Sequence, residues 1–126
     1  MTKNSLEKYD VNEPIQVGDL ISYWPETNKV TRARVRHWKE TDQNKVIGIC
    51  VETNGNLVTF VNQGLVDVNV KGLICVGDRL TASDEPGIAE AIKYEQDESR
   101  FRIRHLGKVV GLYNRYNIAK VLIDIE

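Results

Sequence analysis

Val66-Asp67-Val68-Asn69-Val70-Lys71-Gly72-Leu73-Ile74-Cys75-Val76-Gly77-Asp78-Arg79-Leu80 is the stretch on which the reading of this chain turns. In an extended chain Val66, Val68 and Val70 share one face while Asp67 and Asn69 share the other, the alternation of a strand with one buried and one wet side. Gly72 stops that strand. Val76-Gly77-Asp78 then turns the chain, the glycine supplying backbone freedom and Asp78 an acceptor for the amides of the turn.

The same pattern lies earlier in the chain. Ile15-Gln16-Val17-Gly18-Asp19-Leu20-Ile21 reappears as Ile74-Cys75-Val76-Gly77-Asp78-Arg79-Leu80, and the turn Pro25-Glu26-Thr27-Asn28 has its counterpart at the same offset in Asp84-Glu85-Pro86-Gly87. Lys45-Val46-Ile47-Gly48 also matches Lys108-Val109-Val110-Gly111. Three landmarks in one order point to two interlocked β-halves related by a pseudo-two-fold axis, and independent convergence on Gly-Asp turns is the alternative. Between the landmarks, Val46 to Thr53 and Asn56 to Asn62 flank Asn54-Gly55, which predicts a tight hairpin with a type I′ turn. Val30 to Trp38 alternates as a further strand, and the polar run Glu95 to Arg100 has no apolar stripe and reads as a solvated loop. Residues 1–14 are polar, of mixed charge, and end at Glu13-Pro14. They read as a flexible N-terminal arm, with residues 15–126 as a single β domain. The fold class is therefore all-β, a compact β-barrel or sandwich of about eight to ten short strands.

Composition agrees. Of 126 residues, 15 are Val and 11 Ile, against 5 Ala and 9 Leu, a balance that favours strands over helices. Lys plus Arg number 17 and Asp plus Glu 18, a net charge of -1, so no field of the whole molecule draws it onto nucleic acid or anionic lipid. No apolar run is long enough for a membrane-spanning helix, and Met1 to Asn12 lacks the apolar core of a secretory signal. Cys50 and Cys75 both stand among Val, Ile and Leu, where the expectation is a reduced, buried, unreactive thiol.

Little in the sequence points to catalysis. His37 and His105 have no ligand-spaced partners, so neither a metal nor a cofactor is expected. Asp19 and Asp78 are read as turn acceptors rather than a pair of catalytic carboxylates. The expectation is a protein that is not an enzyme, with a cysteine hydrolase as one rival. The residues that invite a functional reading are two arginine ladders, Arg32, Arg34 and Arg36, and Arg100, Arg102 and Arg104, each three guanidinium groups on one face of a strand. They serve pairing with carboxylates in the chain or in a neighbouring subunit, or lie solvated, or grip a phosphate backbone beside Trp38 and Tyr94; the overall charge disfavours nucleic acid. The turn positions marked as structural are Gly18, Asp19, Asn54, Gly55, Gly77, Asp78, Pro86 and Gly87.

Residues 66–89, continuing from the opening stretch through Thr81-Ala82-Ser83-Asp84-Glu85-Pro86-Gly87-Ile88-Ala89, resemble the β-domain of bacteriophage tail fibres, tail spikes and head-decoration proteins. That pattern is a valine-alternating strand, Gly, Ile-x-x-Gly-Asp-x-Leu, then Ser-Asp-x-Pro-Gly-x-Ala. Lys45 to Val51, Leu106 to Gly111 and Lys120 to Ile125 are similar to its neighbouring strands, so the resemblance covers roughly residues 45–125. It implies a non-enzymatic structural module of a virion, made in the host cytoplasm, acting in a tail, baseplate or capsid decoration. Its partners would be copies of itself, a trimer being favoured, and other virion proteins. A module binding nucleic acid or a surface glycan is the alternative.

Overall fold

Short β-branched runs cut by frequent turns hide their apolar side chains most simply as antiparallel strands, with one face of each turned inward. The computed structural model describes residues 3–8, 14–33, 46–92 and 105–125. Ten strands lie within them: β1 (Lys3–Glu7), β2 (Leu20–Trp24), β3 (Lys29–Arg32), β4 (Val46–Asn54), β5 (Leu57–Val61), β6 (Gln63–Lys71), β7 (Arg79–Ala82), β8 (Ala89–Ala91), β9 (Gly107–Leu112) and β10 (Ile118–Asp124). There is no helix among the described residues. The all-β expectation holds.

The strands divide into two sheets of five. The first runs β1-β5-β4-β2-β3, and the second closes into a barrel that reads β6-β10-β9-β7-β8 when followed round from β6. These are the same order. The registers repeat as well: Ile21↔Arg32, Ser22↔Thr31 and Tyr23↔Val30 in the first half become Leu80↔Ala91, Thr81↔Glu90 and Ala82↔Ala89 in the second. Leu20↔Ile49 and Ile21↔Gly48 become Arg79↔Lys108 and Leu80↔Gly107 at the same offset. Even the irregularity recurs, since the ladder skips Val51 between Cys50↔Phe60 and Glu52↔Thr59, and Val110 between Val109↔Val121 and Gly111↔Lys120. The barrel is closed by the parallel pair Val70↔Ala89, and its counterpart in the first sheet is the single parallel bridge Lys8↔Val30. The chain is one five-stranded unit written twice.

Four expectations need correction. Gly48 corresponds to Gly107, not to Gly111, and the reason is packing: a Cβ would lie 2.5 Å from the Val61 carbonyl oxygen at Gly48 and 2.7 Å from that of Leu122 at Gly107. The hairpin turns one residue later than expected, with Gly55 and Asn56 between the pair Asn54↔Leu57. Gly55 has φ +59° and Asn56 is not in the positive region, so the turn has the glycine-first pattern of type II′. Part of the supposed arm is strand β1, held by its ladder to β5, by Ser5 Oγ to Thr59 Oγ1 at 3.0 Å, and by Leu6 packed on the core. The two-fold relation also gives way, because the contacts that join the halves, described below, use different surfaces on each.

Two buried clusters follow from the duplication. Ile15, Ile21, Val30, Cys50, Val58 and Phe60 fill the first unit. Inside the second, Leu80, Ala89, Val109, Ala119 and Val121 occupy the positions equivalent to the last five of these. Five residues from the other face of the first unit, Leu20, Ala33, Val46, Ile49 and Val61, join this second cluster and weld the halves together.

Gly55 is the place to test the hairpin. A Cβ there meets nothing within 4 Å, so the cost of Gly55→Val is that of a β-branched residue at positive φ, about 1–2 kcal/mol. A lowered melting temperature is expected, and an unchanged one contradicts the turn.

Candidate functional site

The two Val-Gly-Asp turns have one backbone geometry. Gly18 has φ +92° and Gly77 φ +96°, a region that glycine enters without steric cost. In each, the aspartate caps its own turn: Asp19 Oδ2 accepts the Gln16 amide at 2.8 Å, and Asp78 Oδ2 the Cys75 amide at 2.8 Å. Each glycine amide donates to the neighbouring sheet strand, Gly18 to the Cys50 carbonyl and Gly77 to that of Val109, both at 2.8 Å. Both carboxylates have the turn-capping role read from the sequence.

What surrounds the two turns differs. The Gly18 carbonyl accepts the backbone amide of Asn69 at 2.9 Å, and Asn69 Nδ2 donates to the Val17 carbonyl at 3.1 Å and to Asp19 Oδ1 at 3.0 Å. Beside it, the Leu20 amide donates to the Gly87 carbonyl at 2.8 Å, and the Gly87 amide to the Ala33 carbonyl at 2.7 Å. A Cβ on Gly87 would fall 2.8 Å from Asp19 Cγ and 3.1 Å from Arg32 Cδ, so these three residues meet where the halves join. Gly18 and Asp19 are buried by this contact, whereas their counterparts Gly77 and Asp78 are exposed and half-buried, and Val17 and Val76 are exposed in both turns.

Of the ladder arginines, Arg32 is half-buried at this junction, and Arg34, Arg36, Arg100, Arg102 and Arg104 lie outside the described residues, as do His37, Trp38 and Tyr94. Pro86 and Gly87 form a turn fastened by buried Ser83, whose Oγ donates to the Ile88 carbonyl at 2.7 Å and accepts the Glu85 amide at 3.2 Å. Asn69 and Ser83 are the junction and turn residues that sequence reasoning missed. For Asn69 the only signal was an amide on the wet side of a valine strand.

Cys50 is buried, and burial pushes its thiol up to about 11, as expected of an inert core residue. Cys75 is not buried, which corrects the sequence reading: it takes the turn position that polar, exposed Gln16 holds in the first half. Among the described residues, no group of three or more His, Cys, Asp or Glu side chains is placed to hold a metal ion.

No protein-family model matches the chain, and no curated protein matches it in sequence. Its fold has a counterpart in a bacteriophage protein. The chain is similar to the C-terminal fragment of gene product 12 of bacteriophage phi29, with a TM-score of 0.60 at 13% identity, over 95% of this chain and 98% of that one. Coverage of that extent takes in both five-stranded units, so the likeness is to the duplicated fold as a whole.

Two predictions come from the paired turns. Gly18→Ala and Gly77→Ala carry similar backbone strain, on the order of 1–2 kcal/mol. At Gly18 the new methyl also lies 2.8 Å from Asn69 Oδ1, while at Gly77 nothing stands within 4 Å. Thermal melting should show the larger loss for Gly18→Ala, and equal losses would contradict the junction. The second prediction concerns pH. Burial holds the Asp19 carboxyl above its ordinary range, against the opposing pull of the hydrogen bonds from Gln16 and Asn69. A carboxyl raised in the folded state adds most stability below its unfolded pKa, and that contribution is lost as pH rises through the folded value. Denaturant titration of wild type and Asp19→Asn at about pH 4 and about pH 7 should favour the wild type more at the lower pH. A difference that moves in its favour on going to pH 7 would contradict the buried placement.

Proposed function

We propose that the protein is a non-enzymatic structural component of a phage or phage-like particle, part of a tail, baseplate or capsid decoration, which works by protein–protein assembly. The observation that carries this reading is the likeness in fold, over both halves of the chain, to a bacteriophage protein. The local chemistry supports it. The carboxylates of the repeated motif are engaged in capping turns, and the described cysteine with a shifted thiol is held in its unreactive form. Arg32 stands at a junction inside the chain, a packing role for the start of the first ladder. Self-association and docking on other virion proteins are the interactions such a module uses, and the virion is where it resides after synthesis in the host cytoplasm.

Particles purified from producing cells test this. The protein should co-purify with them at a fixed ratio to the major structural proteins, and particles made without its gene should lack a part or fail to assemble. Recovery of the whole pool as free protein, with normal particles formed in its absence, would contradict the proposal.

A further inference from the structure

Of the ten asparagines in the chain, Asn54 alone precedes a glycine. A peptide nitrogen whose own residue has no β-carbon can approach the preceding side chain with little hindrance, so an Asn-Gly pair closes to a cyclic imide wherever the fold leaves it open. Here it is open. Asn54 and Gly55 are both exposed, and a Cβ on Gly55 would meet nothing within 4 Å. Other asparagines are held by their amides: Asn28 Oδ1 accepts the Tyr23 hydroxyl at 2.7 Å, and Asn69 Nδ2 donates to the Val17 carbonyl and to Asp19 Oδ1. Among the described residues, no such bond holds the Asn54 side chain. Gly55 is the first residue of a two-residue turn, so its amide stands outside the ladder between the strands.

Asn54 ends strand β4, and an extended backbone keeps the Gly55 nitrogen away from Asn54 Cγ. The end rung must therefore open. Asn54↔Leu57 is the last pair of the ladder and Leu57 is already 42% exposed, while the next rung, Thr53↔Val58, is anchored by fully buried Val58. Opening the pair uncovers little apolar surface and stops after one rung, a local fluctuation that needs no global unfolding. On the other side of the turn the Lys8 amide donates to the Asn56 carbonyl at 2.7 Å and ties it to β1. The freedom to move falls on the Asn54 side.

We propose that Asn54 is a site of spontaneous covalent modification, in which the Gly55 amide nitrogen displaces the Asn54 side-chain nitrogen to give a cyclic imide and then an aspartyl or isoaspartyl residue. Hydroxide takes the proton of the Gly55 amide. The nitrogen bonds to Asn54 Cγ, the bond from Cγ to Nδ2 breaks, and Nδ2 leaves as ammonia with a proton from water. Water then opens the imide at either carbonyl carbon. Attack at Cγ restores the normal main chain and leaves a side-chain carboxylate. Attack at the Asn54 main-chain carbonyl carbon breaks its bond to the Gly55 nitrogen, routes the main chain through Cβ and Cγ, and leaves the former carbonyl as the carboxylate. A water is consumed and an ammonia released, with nothing oxidised or reduced. Either product adds a negative charge to the net charge of -1, and the isoaspartyl product also inserts a carbon into the main chain beside a tight turn, where loop length fixes the register of the hairpin. The β4–β5 hairpin thus carries a slow, irreversible marker of the protein's age, whatever the particle role of the chain.

Ageing the purified full chain in mildly alkaline buffer, beside an unstructured peptide of the same hairpin sequence, provides the test. Isoelectric focusing should show a new species shifted by a single negative charge, more slowly than in the free peptide because the end rung is open for only part of the time. Its formation should quicken as pH is raised, since the nucleophile is the deprotonated amide. The mass should rise by the difference between an acid and an amide, and peptide mapping should place the change at Asn54, with an isoaspartyl methyltransferase labelling the isoaspartyl share. In Asn54→Gln the larger ring closes far more slowly, so the acidic species should be lost over the same interval. Mapping of the wild type reads the site directly and holds even if that variant does not fold. A chain that keeps its charge long after the free peptide has converted, an acidic species that maps to other asparagines, or an aspartyl product with no isoaspartyl, the mark of direct hydrolysis, would each overturn the proposal.

Discussion

The left-handed turn at Gly18 is the point on which the molecule depends. Because φ is positive there, the glycine carbonyl faces outward from the first sheet and takes the Asn69 amide, while Asp19 is left with one oxygen for its own turn and one for the Asn69 side chain. A side chain on Gly18 would occupy the space that Asn69 fills. The glycine thus serves both the turn within one unit and the contact with the next. A net hydrogen bond contributes about 1 kcal/mol, whereas burying a Val, Leu or Ile contributes roughly 1.5–3 kcal/mol. With Leu20, Ile49 and Val61 buried beside the turn, packing supplies most of the stability and the hydrogen bonds fix direction and register.

Duplication explains why the two copies of one motif have diverged. In the first half the outer row had to become apolar, since a charge sealed against the second unit would lose its hydration without gaining a partner. In the second half the same positions stay in contact with water and carry Lys108 and Arg79. A repeated backbone with divergent side chains is what a duplicated fold with one internal junction requires. The parallel closure differs between the halves as well, with two residue pairs, Val70↔Ala89 and Lys71↔Glu90, in the barrel and a single bridge in the first sheet.

Much of this could be read in the sequence, and what could not has a physical cause. Val-Gly-Asp was legible twice because both its requirements, positive φ and a capping carboxylate, are local. Strand β1 was illegible because it is polar along most of its length and gains its place from the edge of β5, which no local pattern reports. Gly48 was matched to the wrong partner because its glycine answers to a carbonyl on the facing strand and not to a turn. The exposure of Cys75 was missed because β-branched neighbours mark a strand's vicinity without saying which way a turn residue points. Asn69 was invisible for a related reason: its partners, Val17 and Asp19, are distant in sequence and come together only in the folded chain. The arginine ladders, prominent in the sequence, contribute Arg32 alone to the described junction.

Amide hydrogen exchange in the native state addresses the central claim, that two copies of one unit are welded through a directional junction. The amides of Leu20, Asn69 and Gly87 cross that junction and are expected to exchange only with global unfolding, as slowly as amides at the centre of β4 and β10. Exchange at those three positions well ahead of the strand centres would mean that the halves part while each remains folded, and would contradict the account.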